Sequence, residues 1–386
     1  MNAIECWSVT DLRIQARNFR VLKRLDWSPA GVCLLSGANG AGKTSILDAL
    51  LFLRVLFERG AETAFSVVGA RYFRSIDVPE DEPVEFELRV GDIVWKLRFP
   101  MATGGMKDTF GEELFRDGKR ILHAAMFDQT WMLENERLPL DDVRCCAKVL
   151  WDRGNAEWMA PFVEVITSIF VFKSYWINQV QRSEMVIPRQ SYLHGTGRNL
   201  WSVLAGWKAA QIRTEGRFEW VMTEVSRAFP GLISTVEFEG GFPLLFPPRA
   251  VDPEQALPPE RAAEGLLTGL LHLTAVASAR PGALIAFDEM ENQLHPYAIR
   301  VLLSAMRQRA EEEDLTIILT THSPVVMNEF RDDLEQVFVL ERVETSGEFP
   351  VRVTDLHSEE WLSQARLGTL YDRLAFGAPP DTSSEP

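Results

Sequence analysis

Apolar residues along this chain fall into short runs and regular periods that predict strands alternating with helices. Leu12 to Trp27 reads as one or two strands, and Val32-Cys33-Leu34-Leu35 is an unbroken apolar run of the buried-strand kind. Ile46, Leu50, Leu53 and Phe57 then recur at spacings of four, three and four, which describes one face of a helix. Val84, Phe86, Leu88 and Val90 alternate with Glu85, Glu87 and Arg89. Gly91-Asp92 signals a two-residue turn, and Trp95, Leu97 and Phe99 carry the alternation back, so an antiparallel hairpin is expected. From Met101 to about Gly240 the pattern is mixed, with helical stretches at Ala156 to Phe172 and Leu200 to Ile212. The prolines in Phe242 to Pro259 predict a loop or linker. Beyond it come an apolar helix from Gly265, a strand Ala283 to Phe287 and a helix Pro296 to Glu311. Strands Thr316 to Thr320 and Val337 to Glu341 complete a largely parallel α/β pattern. No internal repeat or sustained heptad is present.

Composition narrows this only modestly. The 386 residues, 46% hydrophobic and 25% charged, suit a globular chain with a substantial core. Four cysteines, with Cys145 and Cys146 adjacent, make neither a disulfide framework nor a Cys-x-x-Cys site, which fits a reducing, cytoplasmic setting. Residues 1–13 have no secretory apolar core. Gly265 to Ala279 is shorter than the about 20 residues a bilayer span needs, so no membrane partner is expected. A net charge of −15 does not support general DNA binding, although Arg13, Arg17, Arg20, Lys23 and Arg24 crowd one segment.

The chemistry lies where buried runs stop. Gly37-Ala38-Asn39-Gly40-Ala41-Gly42-Lys43-Thr44 follows a strand, opens a helix and satisfies G-x-x-x-x-G-K-[ST] in full. Glycines let backbone N–H groups cradle phosphate oxygens, and the helix N-terminus favours negative charge. Lys43 supplies a cation for the β- and γ-phosphates, and the Thr44 hydroxyl is a ligand for Mg²⁺. Ser45 follows inside the same turn. Leu284-Ile285-Ala286-Phe287 ends in Asp288-Glu289, and ligands of open α/β sheets bind at such strand ends. Asp288 is expected to hold Mg²⁺ and Glu289 to orient or deprotonate the attacking water. His322, in Thr321-His322-Ser323-Pro324 after the next strand, is placed to contact the γ-phosphate. His295 is ambiguous, and the other histidines have no evident chemical role.

Asn39 inside the glycine loop makes it resemble the phosphate loops of ABC-type ATPases, including RecF and SMC heads. Asn18-Phe19-Arg20, Asp288 to Pro296 and Thr321 to Pro324 narrow the resemblance to the ATPase module of overcoming-lysogenization-defect (OLD) proteins and their stand-alone relatives in phage defence. Gly195 to Leu200 and the Phe229-Pro230 region are also similar. The resemblance implies an ABC-type ATPase head with a largely parallel P-loop sheet, a smaller antiparallel β subdomain and a helical insert. Its divisions fall at 1–100, 101–255 and 256–375, with a disordered tail at 376–386. It further implies two protomers sandwiching ATP, each completing the other's site through a serine- and glycine-containing motif. Here that place is held by Ala262-Ala263-Glu264-Gly265, so Glu264 and Gly265 remain as nucleotide contacts while the serine is an alanine. A Mg²⁺-proximal glutamine is not evident, with Gln129 and Gln179 as the available residues. No zinc-hook cysteine pair separates Lys43 from Gly265.

The expected function is an ATP-binding and hydrolysing conformational switch that forms a homodimer or higher homo-oligomer. In OLD proteins a nuclease domain follows the ATPase. Here only residues 323–386 follow His322, without an acidic metal-ligand cluster, so the resemblance implies a separately encoded effector, a nuclease or toxin. The alternatives are a RecF-like repair ATPase binding DNA directly, a transporter ATPase subunit, and an ATP-stabilised scaffold that does not hydrolyse. The long separation between Lys43 and Gly265 counts against the transporter.

Overall fold

In a computed structural model, the structure describes residues 12–376 except 77, 80, 101–109, 126–129, 134–135, 140–144, 183–186, 188–189, 210–215, 251, 341–349 and 374–375. Gln129 and the tail from 377 lie outside the described residues.

The chain begins with β1 (Leu12–Phe19), β2 (Leu22–Trp27) and β3 (Val32–Ser36), and the glycine loop then leads into helix α1 (Lys43–Arg59). A short helix α2 (Ala61–Val68) is followed by β4 (Val84–Val90), β5 (Ile93–Phe99), β6 (Gly111–Arg116), β7 (Lys119–Ala125), β8 (Thr130–Leu133) and β9 (Glu136–Pro139). Helices α3 (Cys146–Asp152) and α4 (Ala160–Thr167) precede β10 (Ile169–Phe172). After α5 (Ile177–Val180), α6 (Leu200–Lys208) and α7 (Arg217–Ala228) come β11 (Thr235–Glu239) and β12 (Phe242–Phe246). The last part holds α8 (Glu264–Ser278), β13 (Leu284–Phe287), α9 (Pro296–Glu313), β14 (Thr316–Thr320), α10 (Pro324–Asn328), β15 (Val337–Val339) and β16 (Val351–Arg352). Short helices α11 (Val353–Leu356), α12 (Glu359–Leu362) and α13 (Leu367–Asp372) follow.

One sheet runs β10-β13-β14-β3-β15-β16, with every pair parallel except β15 and β16. Parallel strands covered on both faces need apolar residues at every position, and β3, β13 and β14 are buried throughout. Alternate residues then serve different cores. Val32 and Leu34 of β3 join Ile285, Phe287, Ile317 and Leu319 against helices α6 to α9. Cys33 and Leu35 join Leu284, Ala286 and Ile318 on the opposite face, against α1. Helix α1 is enclosed because its other side meets the second sheet, β2-β1-β4-β5-β6-β7-β8-β9, through Phe52, Phe57 and their neighbours. Phe52 stacks on Phe86 with ring centroids 5.3 Å apart and meets Phe73 at 4.9 Å, and such pairs add to plain burial.

The fold class is the expected mixed α/β arrangement, with four departures in detail. The antiparallel sheet, expected to be the smaller, has eight strands against six among the described residues. Residues 101–255, expected to be mostly helical, extend that sheet with β6 to β9. The helix expected over Ala156 to Phe172 stops at Thr167, and Ile169–Phe172 is instead an edge strand of the parallel sheet beside β13. Phe242 to Pro259, expected to be a loop or linker, begins with β12, which pairs with β11 across Gly240-Gly241. Both glycines have positive φ, 58° and 89°, as a two-residue hairpin turn requires. Pro243 is tolerated because a two-stranded sheet has only edges.

Candidate functional site

Register brings the predicted residues together. Leu35 of β3 lies opposite Thr320 of β14, and Leu319 lies opposite Phe287 of β13. The three strands therefore end level, and the segments after them (the glycine loop, Asp288-Glu289 and Thr321-His322) emerge side by side. The strand carrying His322 lies between the other two.

The loop is built by backbone freedom. Gly37, Gly40 and Gly42 have φ of 147°, 77° and 113°, which side-chain-bearing residues rarely adopt. A Cβ on Gly37 would come within 2.7 Å of the Leu340 carbonyl oxygen, and one on Gly42 within 2.8 Å of Leu22, while one on Gly40 would meet nothing within 4 Å. Asn39, Gly40 and Thr44 are exposed, whereas Gly42, Lys43 and Ser45 are buried. The Lys43 ammonium donates to Gly37 O at 2.7 Å and Ala38 O at 3.1 Å. Burial lowers its pKa to about 8, against the opposing pull of Asp288, Glu289 and Glu291.

Thr44 Oγ1 donates to Asp288 Oδ2 at 2.9 Å, and Thr320 Oγ1 donates to Asp288 Oδ1 at 2.6 Å. The Glu289 amide in turn donates to Thr320 Oγ1 at 2.8 Å. Glu289 has a φ of 48°, and its carboxylate accepts from Asn292 at 3.0 Å. A hydroxyl and a carboxylate oxygen side by side are the hard donors Mg²⁺ takes when phosphates and waters complete its shell, so these residues fit that ion. Among the described residues no cluster of three or more His, Cys, Asp or Glu side chains could hold a metal by itself.

His322 is held from two sides. Glu291 Oε1 accepts from the His322 amide at 2.9 Å and from Thr321 Oγ1 at 2.8 Å. His322 Nδ1 lies 3.2 Å from the Tyr371 hydroxyl on α13, which donates to Gly37 O at 3.3 Å. Burial and then Lys43 hold the imidazole below the usual histidine range, while Glu289, Glu291 and Asp288 pull it back.

Glu264 and Gly265 do not join this constellation. They open α8 and are tied to Gln293, whose amide donates to Glu264 at 2.8 Å while its oxygen accepts from Thr268 at 3.0 Å. A Cβ on Gly265 would lie 2.5 Å from Gln293 O, so glycine is required there by close backbone approach alone. Ala263, at the N-cap, offers no side-chain bond. Gln179 is exposed on α5. The position beside Asp288 is reached by the end of β10, where the Asp288 amide donates to Phe172 O at 2.9 Å and Lys173 follows. Lys173 pairs at 2.7 Å with Asp48, a fully buried carboxylate on α1 that also binds Arg20. His295 caps α9 by accepting from Tyr297 N at 3.2 Å, a structural role. His272, given no role by sequence, bridges Tyr175 and the Met290 carbonyl at 3.0 Å each, bracing the segment after Glu289.

Thr320, Glu291, Gln293 and Tyr371 were not evident as site residues. The first three sit inside or beside the quoted motifs, and position at a strand end was the available signal. Tyr371 has none. The basic N-terminal segment is largely self-neutralised, with Arg13 donating to Asp26 at 2.6 Å, Arg17 lying 3.7 Å from Glu85 and Arg20 bound to Asp48.

A family model described as "AAA domain, putative AbiEii toxin, Type IV TA system" matches residues 238–328, a segment that contains Asp288, Glu289 and His322. The DNA replication and repair protein RecF of Herpetosiphon aurantiacus is 52% identical over 42 residues, 11% of this chain and 11% of that protein. The chain thus spans about a tenth of that curated relative's length. Among solved structures, an SMC head bound to the C-winged helix domain of ScpA has a TM-score of 0.48 at 13% identity, covering 85% of this chain and 93% of that one. The SMC head domain from Thermotoga maritima has a TM-score of 0.43 at 15% identity over 85% of this chain and 94% of its own. No helix among the described residues is long and apolar enough to cross a membrane. The family match over residues 238–328 and the RecF segment make the chain similar to P-loop ATPases of the RecF kind over those segments, in keeping with its glycine loop and strand-end carboxylates.

Proposed function

We propose that this chain binds ATP with Mg²⁺ and hydrolyses it as a conformational switch that self-associates and controls a separately encoded effector, a nuclease or toxin, in anti-phage defence. The observation that carries the nucleotide part is the Thr44–Asp288 hydrogen bond at 2.9 Å, which links the phosphate-loop helix to the Asp-Glu strand. Backbone N–H groups from Gly37 to Ser45 receive the phosphates, and Lys43 turns from the loop carbonyls to the β- and γ-oxygens. Thr44 and Asp288 would hold Mg²⁺, which would supply positive charge against the phosphates. Glu289 orients and deprotonates the attacking water, and His322 contacts the γ-phosphate. Glu264 and Gly265 serve the site of a second protomer. The alanines before them supply no hydroxyl there, so turnover is slow.

The effector reading draws on the toxin–antitoxin wording of the matched family. A second reading, a RecF-like ATPase that binds DNA directly, is favoured by the RecF segment and opposed by the −15 charge. Salt-dependent DNA binding by the isolated chain would select it. Pull-down with neighbouring gene products, with and without ATP, separates the two. For the site itself, Lys43→Ala should abolish ATP binding by calorimetry, and unchanged affinity would remove the assignment.

A further inference from the structure

We infer that Tyr371 is a positioning residue that sets the tautomer of His322, reversing one hydrogen bond when a γ-phosphate arrives. The inference rests on the reading above that His322 faces that phosphate.

Helix α13 is fixed close to the site by its own packing. The Gly368 amide donates to Asn328 Oδ1 of α10 at 2.9 Å, and a Cβ on Gly368 would lie 2.3 Å from Pro324 O. Tyr371 is three residues further on and so shares that helix face. Its ring stays against Phe376, with centroids 6.0 Å apart. Its hydroxyl therefore reaches both Gly37 O, at 3.3 Å, and His322 Nδ1, at 3.2 Å.

A phenol has a single proton to give. The Gly37 carbonyl can only accept, so the phenolic proton goes there. The contact with His322 is then a bond only if Nδ1 carries hydrogen and donates to the phenol oxygen. Neutral imidazole has one N–H, so Nε2 is left with a lone pair. A γ-phosphate oxygen is also an acceptor, and two acceptors repel. Burial and the Lys43 charge hold the ring neutral, which disfavours simple addition of a second proton. The remaining solution conserves charge. The phenol turns about its C–O bond and donates to Nδ1, the Nδ1 proton leaves to solvent, and a proton returns at Nε2 to meet the phosphate. Gly37 O also accepts from Lys43 at 2.7 Å, so one carbonyl collects both groups that the phosphates redirect. The C-terminal helix thereby registers the γ-phosphate without touching it.

The test uses the full chain labelled with ¹⁵N-histidine, with the His322 signal assigned by its loss in His322→Gln. Long-range ¹H–¹⁵N correlation should show an Nδ1–H ring alone and an Nε2–H ring with Mg²⁺ and a non-hydrolysable ATP analogue. Tyr371→Phe should lose the Nδ1–H signature from the start and show no change on adding analogue, with affinity within about tenfold of the parent. The inference is overturned if the parent binds analogue by calorimetry while the tautomer stays fixed or an imidazolium forms. It is also overturned if Tyr371→Phe repeats the parent's change. Absence of binding by the parent would remove the site reading and this inference together.

Discussion

The two large sheets share helix α1, yet only one of them gathers the candidate site residues. In the parallel sheet, β3, β13 and β14 are buried along their whole length, so polar groups can appear only where the strands end. Those ends are level, and Lys43, Thr44, Asp288, Glu289 and His322 collect there. In the antiparallel sheet, β4 and β5 bury one face, while the outer face carries charges that cancel in pairs. Lys96 lies 2.9 Å from Glu87, Arg98 lies 3.7 Å from Glu85 and Arg120 lies 2.9 Å from Glu113. The contrast teaches that concentration of polar groups at one edge, rather than their number, marks a working surface.

The largest expected effect probes the strand ends. Glu289→Gln should lower ATP turnover by about 10²- to 10⁴-fold while ATP stays bound and any ATP-dependent oligomer accumulates. Hydrolysis at the parent rate would show that Glu289 is not the base. Next comes the brace behind those ends. Burial lowers the His272 pKa to about 4, below an unfolded value near 6.5. The unfolded chain therefore binds the proton first. Stability from this histidine is complete above pH of about 6.5 and falls as pH drops towards 4, by roughly 3 kcal/mol. Urea midpoints measured from pH 7 to pH 4 should fall more steeply for the parent than for His272→Gln; equal slopes would deny the buried neutral role.

A smaller effect is expected at the tight approach of α8. Gly265→Ala puts a methyl 2.5 Å from Gln293 O and should cost about 1–3 kcal/mol in thermal or chemical unfolding. A neutral outcome would mean that the segment after Glu289 yields easily. The smallest effect completes the comparison. Arg98→Ala, on the outer face of the antiparallel sheet, should change stability by less than about 0.5 kcal/mol and leave ATP binding alone. A loss of nucleotide binding there would break the division between the two sheets.

Much of this was legible in the sequence because the relevant signals are local. A buried run leading into a glycine loop, and a second run ending in Asp-Glu, need only strand geometry to be read. The parts that were missed depend on distance. Ile169–Phe172 continues the apolar helix before it, and a short apolar run has no period that separates helix from strand. It becomes a strand because β13 offers it an edge. The β11–β12 hairpin carried a usable signal in Gly240-Gly241, which Pro243 obscured. Tyr371 is a lone aromatic in a short helix and acquires meaning only through Gly37, far away in the chain.

The position of β3 carries a consequence for how the molecule is made. Its two neighbours, β14 and β15, are contributed by residues 316–320 and 337–339. A growing chain that has already exposed the glycine loop therefore has no sheet in which to seat it. Long-range pairing of this kind is slow and leaves apolar strands uncovered until synthesis reaches the distant segment. Nucleotide capture is thus tied to synthesis of the distant strands, and fragments cut short of β14 are candidates for chaperones rather than for ATP.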